Sequence, residues 1–128
     1  MSSPDVVLLA SDRRTRAPLR AQLVEDGFHV IATDTWPTMR EHLRAGAKPR
    51  LAIVDLQGLD NPSEVVHGLR VLMKPPHVLV IAAAGTVAPE DLARTGFTVV
   101  ARPATIDEVV GRVRGAIGPA ATERTRLP

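Results

Sequence analysis

Short runs of apolar residues recur five times along the chain, and a segment with helical spacing of its apolar residues follows each run. The runs are rich in β-branched residues, which is typical of strands that helices cover on both faces. The second run is followed by the polar residues Thr33 and Asp34, so we expect an edge strand there. We predict strands at residues 6–10, 28–32, 51–54, 78–82 and 97–101.

The segments between the strands predict five helices. Leu19 and Leu23 have i, i+4 spacing in the first, and Thr105 with Glu108 forms a capping-box pattern at the start of the last. Trp36, near the start of the second helix, is expected to pack against the core. We predict helices at residues 16–25, 37–45, 62–73, 89–94 and 105–117.

Five strand–helix units in succession predict an α/β fold with a parallel sheet and right-handed crossovers. We expect a flavodoxin-like (βα)5 three-layer sandwich whose strand order is 2-1-3-4-5. Residues 1–119 then form one domain, and residues 120–128 are interpreted as a flexible tail or linker stub. In such a sheet, ligands bind at the carboxyl ends of the strands, where the strand order reverses.

Composition excludes several classes of function. The chain has no cysteine, so disulfides and thiolate chemistry are excluded, and the scattered His29, His42, His67 and His77 do not suggest a metal site. A net charge of +2 is too small to favour nucleic acid, so no direct nucleic-acid binding is expected. The longest apolar run is far shorter than the roughly 18 residues of a membrane span. The expected location is therefore the cytoplasm, with no membrane contact.

Polar residues leave the strands at the predicted reversal of strand order. Ser11 and Asp12 follow the first strand, and Asp55 with Gln57 follows the third. A carboxylate at a rigid strand end suits a nucleophile or a metal ligand. Asp12 also suits the N-cap of the first helix, which we favour over metal ligation.

The chain resembles the receiver domain of bacterial two-component response regulators over almost its whole length. The stretch 51–56 is similar to the phospho-acceptor strand of that family, Arg102-Pro103 stands where the family has Lys-Pro, and Gly27 ends the first helix as a glycine does there. The resemblance implies that Asp55 is the phospho-acceptor and that Arg102 replaces the usual lysine. It also implies Mg²⁺, with Asp12, Asp55 and the Gln57 carbonyl as candidate ligands.

Several positions depart from the pattern of that family. Ala10 and Ser11 stand in place of its acidic pair, and the fourth strand ends in alanines where the family has a hydroxyl, with Thr86 in the following loop. Val99 stands in place of an aromatic residue. Since Mg²⁺ takes carboxylate and phosphate oxygens, we expect a degenerate metal site and leave phosphorylation of Asp55 open.

Two functions of different classes follow. In the first, the chain is an atypical signalling domain and not an enzyme. It contacts a sensor histidine kinase or another signalling protein and forms a homodimer through its fourth helix, fifth strand and fifth helix. In the second, it is a small α/β domain that binds a nucleotide or anion in the same crevice. Arg13, Arg14 and Arg16 motivate the second function, although we favour solvated surface charge for them.

Overall fold

The computed structural model describes residues 3–118, and a five-stranded parallel sheet forms its centre. The strand order is β2-β1-β3-β4-β5, which confirms the predicted topology. The predicted tail at residues 120–128 lies outside the described residues. The strands are β1 (Val6–Leu9), β2 (Val30–Thr33), β3 (Leu51–Asp55), β4 (Val78–Ala82) and β5 (Thr98–Ala101).

Four α-helices connect the strands and a fifth follows β5, and four of these five helices have a side-chain N-cap. Asp12, Thr35, Asn61 and Thr105 each accept a backbone N–H of the first helical turn, which satisfies a donor that the helix leaves free. The helices are α1 (Arg13–Glu25), α2 (Trp36–Arg44), α3 (Pro62–Leu72), α4 (Pro89–Thr95) and α5 (Ile106–Ile117), with a short 3₁₀ turn at Pro75–His77.

Two apolar cores lie on the two faces of the sheet. Val7 and Leu9 of β1 point into the core beneath α2, α3 and α4, whereas Val6 and Leu8 point into the core beneath α1 and α5. All four residues are fully buried, and each contributes roughly 1.5–3 kcal/mol through burial. Double coverage explains why β1, β3 and β4 show continuous apolar runs instead of alternation.

Two predicted boundaries were wrong by two or three residues. Helix α1 begins at Arg13 and not at residue 16, because the Asp12 carboxylate caps it from the end of the preceding loop. Strand β2 begins at Val30 and not at residue 28. The Phe28 N–H donates to the Leu23 carbonyl and so still belongs to the end of α1.

The remaining elements agree with the sequence patterns. Strand β2 lies at one edge of the sheet and β5 at the other. Trp36 is buried and packs against Gly68 of α3. Within residues 3–118, no helix is long and apolar enough to cross a membrane.

Candidate functional site

The carboxyl ends of β1 and β3 bring the predicted site residues to one edge of the sheet. Asp55 is the last residue of β3, and only 1% of its surface is exposed although it carries a charge. Burying an unpaired carboxylate would be very costly, so its partners decide what it can do.

Arg102 is the principal partner of Asp55. It follows β5, and its backbone N–H donates to the Ala82 carbonyl at 3.0 Å, which fixes the start of its side chain beside the sheet. Nε donates to Oδ1 of Asp55 at 3.2 Å, and Nη2 contacts Oδ2. The guanidinium therefore engages both carboxylate oxygens as a two-pronged fork, an arrangement that a lysine cannot make.

The loop after β3 supplies a further donor to this carboxylate. The Gln57 N–H donates to Oδ1 of Asp55 at 3.1 Å, and the Gln57 carbonyl accepts the Ser11 hydroxyl at 2.9 Å. Gly58 allows this close approach: its φ is +79°, and a Cβ there would lie 2.4 Å from the Ser11 Oγ. Ser11 thus ties the end of β1 to the loop that follows β3.

A second arginine binds the end of β1. The Nη1 of Arg16 donates to the Ala10 carbonyl at 2.8 Å and to the Ser11 carbonyl at 3.2 Å. The interpretation of Arg16 as solvated surface charge was therefore wrong, whereas Arg13 is exposed as expected. With Arg102, two guanidinium groups therefore supply positive charge at the carboxyl ends of the strands.

Asp12 caps its own helix. Its Oδ1 accepts the Arg14 N–H at 2.9 Å, which confirms the N-cap assignment. This backbone hydrogen bond, with smaller contributions from the charges of Arg14 and Arg102, lowers the pKa of the Asp12 carboxyl below its ordinary value of 3.8. The carboxylate serves the N-terminus of α1, where the helix dipole also favours negative charge.

Thr86 and Val99 lie at the other two departures from the receiver pattern. The Thr86 hydroxyl donates to the Ala83 carbonyl of its own loop at 2.9 Å and not toward Asp55. Val99 lies on β5 with 37% of its surface exposed. The hydroxyl that contacts Arg102 is that of Thr15, whose Oγ1 lies 3.4 Å from Nη2 of Arg102.

These donors do not fit Mg²⁺. Arg102 holds both oxygens of Asp55, the Gln57 carbonyl accepts from Ser11, and Asp12 accepts from Arg14. Mg²⁺ demands a nearly ideal octahedron of oxygen ligands, usually with one or two free carboxylates. No group of three His, Asp or Glu side chains in residues 3–118 could hold a metal ion either.

The sequence did not indicate three of these contacts. Ser11 and Arg16 bond to backbone carbonyls, and Thr15 meets Arg102 across 87 positions of the chain. Hydrophobic periodicity carries no information on such contacts. The available signal was the position of Thr15 and Arg16 in the first turns of a helix that begins at the carboxyl edge of the sheet.

Three clefts surround this site. One of about 510 Å³ lies between the start of α2 and the loop after β3, and Ser11 and Trp36 line it. A second, of about 410 Å³, is mostly apolar and lies between the loop after β4 and strand β5, with Val99 and Arg102 in its wall. A third, of about 170 Å³, lies between α1 and α5.

Comparison with known proteins places the fold. No protein-family model and no curated protein matches this chain. Solved structures match over nearly the whole chain. One is an adenylate cyclase from Rhodopirellula baltica, with a TM-score of 0.74 and 17% identity over 91% of this chain and 88% of that one.

Two further matches are receiver structures. The signal receiver domain of a Luxo repressor protein from Vibrio parahaemolyticus has a TM-score of 0.73 and 17% identity, covering 99% of both chains. A response regulator receiver protein from Pseudomonas putida has a TM-score of 0.73 and 17% identity over 90% of this chain and 98% of that one. The chain therefore has the flavodoxin-like fold of response-regulator receiver domains.

Proposed function

We propose that this chain is a receiver-like domain of two-component signalling that acts through protein–protein contacts and without phosphorylation of Asp55. One observation carries the proposal: the Arg102 guanidinium is bound to both oxygens of the buried Asp55. An arginine of the chain itself thus holds this carboxylate with a single positive charge, in the place that a metal ion and a lysine would share.

The contacts of Asp55 oppose its use as a nucleophile. Attack on a phosphoryl donor needs a free carboxylate oxygen in line with the leaving group, and it needs positive charge on the phosphoryl oxygens. Both oxygens of Asp55 already accept hydrogen bonds, and the side chain is almost completely buried. The Arg102 guanidinium also contacts the Asp55 carboxylate itself, so its positive charge lowers the nucleophilicity of that carboxylate.

The same contacts favour a single conformation. A ligand shifts a conformational equilibrium only through contacts that differ between the two states. Thr86 is bonded within its own loop, and Val99 has no polar group to relay a displacement. We therefore expect the surface above β4 and β5 to keep one conformation. Signalling would then be controlled by the amounts of this chain and its partners, and not by a change of conformation.

The partner surface is proposed to include α4, β5 and α5. The apolar cleft of about 410 Å³ beside β5 supports this choice, because exposed apolar surface with a polar rim is typical of protein contacts. Leu92 and Val99 lie in its wall, and Arg102 lies at one end. The partner is a sensor histidine kinase, another signalling protein or a second copy of this chain, in the cytoplasm.

Incubation with acetyl phosphate and Mg²⁺, followed by intact-mass measurement, tests this proposal. We expect no covalent phosphoryl group on the wild-type chain, while a receiver domain with a complete acidic pair, treated in parallel, gains one. Asp55→Asn is the matched control, since it removes the only candidate acceptor at the site. A phosphoryl group on wild type that disappears in D55N would overturn the proposal.

A further inference from the structure

A small cavity of about 170 Å³ lies between α1 and α5, and Arg102 lines it. Its apolar lining includes Leu19 and Val109. Its polar lining comes from Arg14, Thr15 and Arg102, which belong to two separate parts of the chain. At roughly 30 Å³ per water molecule, the cavity has room for a few waters or for one small oxyanion.

The polar lining carries positive charge without a carboxylate. No Asp or Glu lines the cavity, and the first turn of α1 contains no acidic residue. Arg14 has a single ion-pair contact of 3.5 Å with Asp12, and 93% of its side chain is exposed, so its guanidinium is free to turn toward the cavity. The Asp12 carboxylate compensates part of the positive charge at this helix N-terminus, where a further anion is also favourable.

The hydrogen-bond donors also suit an anion. Thr15 accepts a hydrogen bond from Nη2 of Arg102 at 3.4 Å, and among the described residues no acceptor takes the Thr15 hydroxyl proton. Arg102 uses Nε and Nη2 on Asp55 and Thr15, and its Nη1 makes no hydrogen bond within residues 3–118. Two residues with unused donors, Thr15 and Arg102, therefore line the same small cavity.

We propose that this cavity binds one small oxyanion, either a phosphate group or the carboxylate of a small acid. Arg14 closes over the anion at the mouth, Thr15 donates from the wall, and Arg102 contributes its free Nη1 while keeping Asp55. The binding is non-covalent and leaves the chain unmodified. Anion binding in this cavity does not depend on the function proposed above. The two proposals are tested separately, since intact mass reports phosphorylation of Asp55 and the anion titration reports occupancy of the cavity.

Titration of the ¹⁵N-labelled chain with sodium phosphate, and separately with sodium acetate, tests the site. Both titrations are made at constant ionic strength with sodium chloride as the balancing salt. We expect saturable shifts of the Thr15, Ala104 and Ile106 amide signals with at least one anion, and the comparison of the two anions identifies the preferred chemistry. Shifts that are spread evenly over all arginines, or that sodium chloride reproduces, would overturn the proposal.

Three variants sharpen the result. Arg14→Ala is expected to weaken binding by up to about fivefold, the upper size of one solvent-exposed ion pair. Thr15→Val keeps the side-chain shape without the hydroxyl and is expected to weaken binding too. Arg13→Ala is the matched control, because it removes the same charge from the same helix end without touching the cavity. An equal loss of affinity in R13A and R14A would show that general electrostatic attraction explains the binding. That result would contradict a specific site in this cavity.

Discussion

Nε of Arg102 lies 3.2 Å from Oδ1 of Asp55, and Nη2 of the same guanidinium contacts the other carboxylate oxygen. The two residues are 47 positions apart, yet the parallel pairing of β3, β4 and β5 brings their strand ends to the same edge of the sheet. Asp55 is buried, whereas 24% of the Arg102 side chain is exposed. Because the two side chains differ in burial, we expect substitution of Arg102 and substitution of Asp55 to lower the free energy of unfolding by different amounts.

Arg102→Met is expected to lower the free energy of unfolding by about 3 kcal/mol, because it leaves the buried Asp55 charge without its partner. Asp55→Asn should cost only about 1 kcal/mol, since Asn still accepts the Gln57 N–H and Arg102 can turn toward water. Urea denaturation followed by fluorescence of Trp36, the only tryptophan, measures both values.

The double variant D55N/R102M provides the check on that asymmetry. With no buried charge left, it should be more stable than R102M alone. An R102M variant that is as stable as D55N would show that the ion pair contributes little. The proposal that Arg102 keeps Asp55 from acting as a nucleophile would then lose its structural basis.

Gly58→Ala tests the contact between the loop after β3 and the end of β1. The added methyl group meets the Ser11 Oγ, and alanine is strained at a φ of +79°. We expect G58A to lose about 2–3 kcal/mol, of which about 1 kcal/mol is backbone strain. In a Ser11→Ala background, G58A should cost only about 1 kcal/mol. An equal cost in both backgrounds would mean that Ser11 does not occupy this position.

Gly68→Ala sets helix propensity against packing. Alanine in a helix interior is favoured over glycine by about 1 kcal/mol, but a Cβ at residue 68 would lie 2.4 Å from the rigid Trp36 ring. We expect the clash to prevail, with a net loss of about 1–2 kcal/mol. The matched control is Gly111→Ala in α5, where a Cβ meets nothing within 4 Å and stability should rise by about 0.5–1 kcal/mol. Thermal denaturation of both variants decides the comparison.

The cap at Asp12 should make the stability of α1 depend on pH. Folding lowers the pKa of Asp12, so the cap stabilises the native state above the ordinary value of 3.8 and loses this contribution as the pH falls through the folded value. Asp12→Asn keeps a capping acceptor without titrating. The difference in Tm between wild type and D12N should be constant above about pH 5 and shrink below pH 3.8. A carboxyl titration by NMR at or above 3.8 would contradict the cap.

Much of the fold follows from hydrophobic periodicity. Runs such as residues 51–54 and 78–82 indicate strands that are buried on both faces, and strand–helix alternation then leaves few topologies. Periodicity does not fix the boundaries where single hydrogen bonds decide them. Phe28 is apolar like a strand residue, but its N–H closes the end of α1. A hydrophobic pattern contains no trace of that bond.

The sequence predicted where the site residues lie in the fold, but not the contacts between them. The sequence located Asp55 and Arg102 at strand ends and identified Asp12 as a cap. It could not show that Arg102 extends across to Asp55, because an arginine that follows a strand can equally turn toward solvent. It also could not show that Ser11 and Arg16 bind backbone carbonyls at the carboxyl edge. Contacts of this kind depend on rotamers within an assembled sheet.

The central claim is that Arg102 stays bound to Asp55. The Nε–Hε signal of Arg102 in an ¹⁵N spectrum tests this claim most directly. Held on Asp55, this proton should exchange slowly with solvent and resonate apart from exposed arginines such as Arg13, and D55N should abolish both properties. Mg²⁺ with beryllofluoride should leave the exchange of this proton slow in wild type. A signal that already averages with the exposed arginines, or a proton whose exchange becomes fast when Mg²⁺ and beryllofluoride are added, would contradict the account.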